Sequence, residues 1–108
     1  MITNALLTRI DHREKADETG RPRFRPETVR EWVHLRLKSR RLLSEGQDEA
    51  VADGTLIVPA RMDVAVGDRV TLRPTHASRG GPQTYEVADL EWTWGDPSKV
   101  LIVKEVAG

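Results

Sequence analysis

The side chains that could do chemistry here are three histidines (His12, His34 and His76), an acidic group (Asp48, Glu49 and Asp53) and a row of arginines (Arg21, Arg23 and Arg25). The histidines share no ligand spacing, so a metal centre would need them to converge from three separate elements. The acidic group lacks the alternating ligands and closing Glu of a calcium loop, which leaves a solvated acidic loop. His76 and Ser78 could be drawn beside a distant Asp as a hydrolytic triad, but no strained elbow or oxyanion glycine accompanies them. Arg79-Gly80-Gly81 has the glycines of a phosphate-binding loop without its Lys, hydroxyl or following helix. With no cysteine in the chain, disulfides and thiolate chemistry are excluded. The expectation is a protein that is not an enzyme and has no metal site or cofactor.

What remains is recognition. Arg21, Arg23 and Arg25 alternate with Pro22, Phe24 and Pro26, so an extended segment sends three guanidiniums one way and Phe24 the other. Such a row can contact a phosphate backbone without reading bases. It equally suits a solvated loop or an acidic protein partner, which is the plainer reading. Arg30, Arg36, Lys38, Arg40 and Arg41 continue the basic character along a strand edge, where charge discourages stray pairing. Trp32, Trp92 and Trp94 are candidate subunit-interface anchors, since tryptophan is enriched where interfaces draw their binding energy. At least one of them is expected in the core, because aromatics make up only 5% of the chain.

The totals agree with a binding role. A chain of 108 residues fits one domain, and a charged share of 31% leaves a thin core that subunit contacts would supplement. The net charge of +0 argues against a free-standing nucleic-acid binder. Yet residues 1–43 hold eleven Lys/Arg against six Asp/Glu, a balance of +5, and residues 44–108 hold six against eleven, a balance of −5. This gradient suits a molecule that stacks between unlike partners. No stretch approaches the ~20 apolar residues of a membrane span, and residues 1–7 lack the pattern of a signal peptide. A soluble, untargeted chain is expected.

The elements that must position these residues read as strands. Residues 5–12 alternate, with Leu6, Thr8, Ile10 and His12 on one side and Leu7, Arg9 and Asp11 on the other. Residues 13–28, rich in charge with Gly20, Pro22 and Pro26, predict a long loop or splayed hairpin tip. Residues 29–43 fit a helix from Pro26 only if Arg36 and Arg40 lie in its apolar face. A strand needs no buried arginine and is preferred. Residues 44–54 predict a polar loop with at most one helical turn. Residues 55–72 then predict two strands, Leu56-Ile57-Val58 and Val70-Thr71-Leu72, with Gly67-Asp68 as the turn between them. Residues 73–83 form a surface loop. In residues 84–90, Tyr85, Val87 and Asp89 face one way and Glu86, Ala88 and Leu90 the other. Residues 100–106 are apolar on both sides until Lys104, as in a strand that is buried centrally or sandwiched against a neighbour. About six strands with Gly, Pro and Asp turns make a small all-β barrel or sandwich.

The run Ala52-Asp53-Gly54-Thr55-Leu56-Ile57-Val58-Pro59, then Asp63-Val64, Gly67-Asp68-Arg69-Val70, Thr84-Tyr85-Glu86-Val87, Trp92 and the close from Val100 to Gly108, resembles the head-to-tail stopper proteins of long-tailed bacteriophages. Order and spacing carry the resemblance over residues 52–108, since each piece alone is common. It implies a small β-barrel with a long loop or hairpin near the amino terminus. It also implies a homo-oligomeric ring, dodecameric in the family, in the virion neck between the portal-bound adaptor and the tail terminator or tail tube. Such a ring is made in the host cytoplasm, and its channel passes or retains DNA without sequence specificity. On this reading Arg21, Arg23 and Arg25 contact DNA in the channel or a partner. Two features depart from the family pattern, the length of the loop between Pro74 and Gln83 and the second indole at Trp94. The alternatives are a small-barrel nucleic-acid-binding module or another neck component such as a tail terminator.

Overall fold

The computed structural model describes residues 3–16, 18–44, 47–74 and 82–106, of which residues 37–44, 47–53 and 74 are described by their backbone alone. It has six strands: β1 (Ala5–Glu14), β2 (Arg23–Ser44), β3 (Gln47–Pro59), β4 (Arg69–Pro74), β5 (Gln83–Glu91) and β6 (Ser98–Glu105). They close into one barrel in the order β1-β2-β3-β6-β5-β4, with every neighbouring pair antiparallel. The all-β barrel expected from the sequence is the observed fold, and residues 29–43 are strand.

The lumen is filled almost entirely by aliphatic side chains. Leu7, Ile10, Val33, Leu56, Val58, Val70, Leu72, Val87, Leu101 and Val103 are fully buried. Each such side chain contributes roughly 1.5–3 kcal/mol relative to exposure. Met62 and Val64, from the connection between β3 and β4, join the same core. That connection is tied down at both ends. Ala60 N donates to Pro97 O at 2.9 Å, Gly67 N to Val87 O at 2.8 Å, and Val87 N to Asp68 O at 2.8 Å.

Two expectations are corrected and two are sharpened. First, the two strands and the turn expected over residues 55–72 are present, but β3 and β4 are not neighbours: β3 lies between β2 and β6, and β4 between β1 and β5. Gly67-Asp68 is a turn, but it delivers the chain across the barrel and does not fold it back on itself. Second, the alternation of β1 changes phase at Thr8. The registers Leu7↔Leu72 and Arg9↔Thr71 leave Thr8 as the extra residue against β4, a β-bulge. Ala5 and Leu7 therefore face inward before the bulge, and Ile10 and His12 after it. Ala88 does the same to β5, between Val87↔Val103 and Asp89↔Ile102. Asp89 is turned to solvent and Leu90 against the core, the reverse of the expected sides.

Third, of the long loop or splayed hairpin tip expected over residues 13–28, the structure has a hairpin with a shorter tip, because β1 runs to Glu14 and β2 starts at Arg23, paired Glu14↔Arg23. Fourth, most of the loop expected over residues 44–54 is strand. β2 and β3 stay paired from His34↔Ile57 out to Ser44↔Gln47, whereas β6 leaves β3 at Asp53↔Lys104. The outer part is thus a two-stranded arm whose strands, among the described residues, pair only with each other. A straight strand of 22 residues would span about 70 Å at ~3.3 Å per residue, against a longest dimension of 45 Å, so β2 must bend. Its register shift opposite Thr8 supplies one bend. Of the loop expected over residues 73–83, with His76, Ser78 and Arg79-Gly80-Gly81, residues 75–81 lie outside the described residues.

Candidate interaction surfaces

The basic row sits where β1 hands over to β2. Gly20, at φ +79°, turns the connection, and Arg23 and Arg25 pair across with Glu14 and His12. Arg21, Arg23 and Arg25 are all exposed. Arg25 Nε lies 3.4 Å from Glu14 Oε1, an ion pair about half open to solvent and of little energetic weight. Phe24 turns the other way, half-buried, beneath the Arg69 guanidinium at 4.6 Å from the ring centroid. The expected two-sidedness of this segment is present, with a specific partner for Phe24 that the sequence did not identify.

Just inside that end lies a polar network. Asp68, 4% exposed, accepts from Arg13 N at 2.8 Å and from Ala65 N at 2.9 Å. Its Oδ2 also stands 3.3 Å from His12 Nδ1, and His12 Nε2 is 3.0 Å from Glu27 Oε2. Both Asp68 oxygens are consumed by backbone amides and a ring nitrogen, so the network anchors the β3–β4 connection to β1. Asp at a Gly-Asp turn was the available signal, and it pointed to local bonding only. His34 lies on β2, away from His12, and no cluster of three His, Asp or Glu among the described residues is arranged to hold a metal ion.

None of the three tryptophans is in the core, contrary to expectation. Trp32 is 48% exposed on β2, paired with Leu6, and Trp92 and Trp94 follow β5 at 42% and 89% exposed. A closed six-stranded barrel has a narrow lumen, and Val and Leu already fill it. Trp92 and Trp94 meet edge to face, with ring centroids 6.0 Å apart at 75°. Gly95, at φ +92°, turns the chain so that Trp92 Nε1 donates to Asp96 O at 3.0 Å.

A groove of about 510 Å³ crosses the outside of the barrel between Arg9, Asp11, Arg69, Thr71, Thr84 and Glu105. Arg9 is bonded to Asp11 at 2.9 Å, and the Arg69 Nε is buried with no hydrogen-bond partner among the described residues. The groove mixes both charges. Comparison of the chain with protein-family models, with curated proteins and with solved structures finds no match.

Proposed function

We propose that the protein is a structural component of a phage neck, a head-to-tail stopper that forms a ring joining the portal–adaptor complex to the tail. The ordered resemblance over residues 52–108 carries the reading. Its pieces fall on β3, on the connection into β4, on β5 and on β6 and beside them, elements of one closed barrel. The exposed tryptophans and the basic row supply surfaces for assembly, and the ring channel passes or retains DNA through phosphate contacts. The protein has no chemistry of its own in this role. Mass spectrometry of purified virions, with pull-down of portal–adaptor complexes, tests it. The expected result is the chain in mature particles and retained on the complexes; absence from both rejects the proposal.

A further inference from the structure

The closed strand order has a consequence for charge. In the circuit β1-β2-β3-β6-β5-β4, β2 and β5 are three strands apart by either route, so they form opposite walls of the barrel. β2 carries seven Lys/Arg against two Glu, a balance of +5. Both of those acids are engaged within the subunit, Glu31 by Arg61 at 2.7 Å and Glu27 by His12 at 3.0 Å. β5 carries Glu86, Asp89 and Glu91 and no cation. Tyr85 and Val87 point into the core, and after the Ala88 bulge Leu90 does so, which leaves the three acids on the outer side. None of them forms an ion pair with a described residue, and neither do Arg30 and Arg36, which flank Trp32 on the basic wall and are exposed. Each wall also has its own exposed indole, Trp32 on one side and the Trp92–Trp94 pair just past β5 on the other.

We infer that the β2 wall of one copy docks against the β5 wall of the next, with Arg30 and Arg36 facing Asp89 and Glu91 and the tryptophans as apolar anchors. The occupant is a second copy of this chain because the two surfaces complement each other in charge and lie on opposite sides of one molecule. Contacts between unlike, opposed patches are head-to-tail, so they propagate from copy to copy and end only by closing into a ring. The inference rests on the ring-forming reading and names the surfaces that build the ring. Opposite charge on facing walls also sets register and excludes the β2-to-β2 and β5-to-β5 contacts that would stop growth at a dimer.

The test is sedimentation and native mass spectrometry of the purified full chain at low ionic strength. One variant reverses the acidic wall (Asp89→Lys with Glu91→Lys) and another the basic wall (Arg30→Glu with Arg36→Glu). All four positions are exposed, and thermal melts check that each variant folds. The wild-type chain is expected to associate, and either reversal alone to weaken association roughly tenfold or more. Mixing the two reversed chains restores assembly, because the acidic β2 wall of one meets the basic β5 wall of the other. A chain that stays monomeric at every concentration, an assembly indifferent to both reversals, or a mixture that fails to recover overturns the inference. Absence from virions would reject the neck role while leaving this contact standing. Reversed chains that enter virions normally would reject the contact alone.

Discussion

The carboxamide of Asn4 stands in for a strand residue opposite Leu35: its Nδ2 donates to Leu35 O at 2.8 Å and its Oδ1 accepts from Leu35 N at 2.7 Å. β1 ends its own pairing at Ala5↔Val33, so one side chain extends the ladder by a step. Beyond that step β2 has only β3 for a partner among the described residues. Asn4 therefore marks where barrel becomes arm.

Asn4→Ala removes two partly buried hydrogen bonds at that junction and is expected to destabilise the fold by about 1–2 kcal/mol. Hydrogen exchange reads the effect locally: the Leu35 amide exchanges faster, while Leu56 and Leu101, in the barrel wall, follow only the global change.

Asp68→Ala leaves the amides of Arg13 and Ala65 without an acceptor in a buried setting, a loss of about 3 kcal/mol. Asp68→Asn keeps one carbonyl oxygen and costs less. Urea unfolding orders the three proteins, and equal midpoints for Ala and wild type would remove the anchoring role of this side chain.

Gly67→Ala forces an L side chain to φ +96° and brings its Cβ to 3.0 Å from Arg13 Cδ. The arginine can shift, but the backbone strain remains, at about 1–3 kcal/mol. Gly20→Ala shares the positive φ and meets nothing within 4 Å, so its cost is backbone strain alone. Thermal melts of the two variants separate crowding from conformation.

Burial first, and the Glu105 carboxylate second, push the Tyr85 phenol above its ordinary value of 10.0. The neutral form is the one the fold favours, so this contribution is complete below pH 10 and is lost as pH rises from there through the folded-state value. The stability difference between wild type and Tyr85→Phe is expected to be flat up to that pH and to move against the wild type above it, as read from denaturant midpoints across the alkaline range.

Arg23→Gln with Arg25→Gln touches only exposed side chains and leaves subunit stability within about 0.5 kcal/mol. Under the proposed neck role, the pair is expected to lower retention of packaged DNA in assembled particles, measured as nuclease-sensitive DNA after osmotic shock. Unchanged retention would take the basic row out of the channel.

The barrel was legible in the sequence because its strands alternate, and alternation reports directly on a wall with one wet face and one dry. β1 and β5 were read as strands for that reason, whereas β3 around Leu56 and Val58 and β6 around Leu101 and Val103 were read from apolar runs, and their division into a buried and a half-buried face appears only in the barrel. The arm was not legible. Residues 47–53 are strand through backbone pairing with residues 38–44, which their polar composition does not announce. The separation of β3 from β4 escaped for a related reason. A turn signal at Gly67-Asp68 says that the chain bends, whereas the strand on the far side is chosen by contacts such as Gly67 N to Val87 O. Among the candidate surfaces, the two-sidedness of residues 21–26 followed from spacing alone. The place of the tryptophans did not, since lumen width is a property of the closed sheet.

Thr8 and Ala88 behave as frameshifts in a code read two residues at a time. Every side chain downstream of each, to the end of its strand, owes its inward or outward assignment to that one extra residue. Deleting Thr8 would bring Leu7↔Leu72 and Arg9↔Thr71 into unbroken succession against β4 with Ile10 and His12 still facing inward, whereas inserting a residue between Arg9 and Ile10 would carry Ile10 and His12 to the outside. The tolerance of these strands to a change of length is thus uneven: loss of the extra residue keeps the flanking faces against β4 or β6, and a gain or loss at a regularly paired position beside it does not.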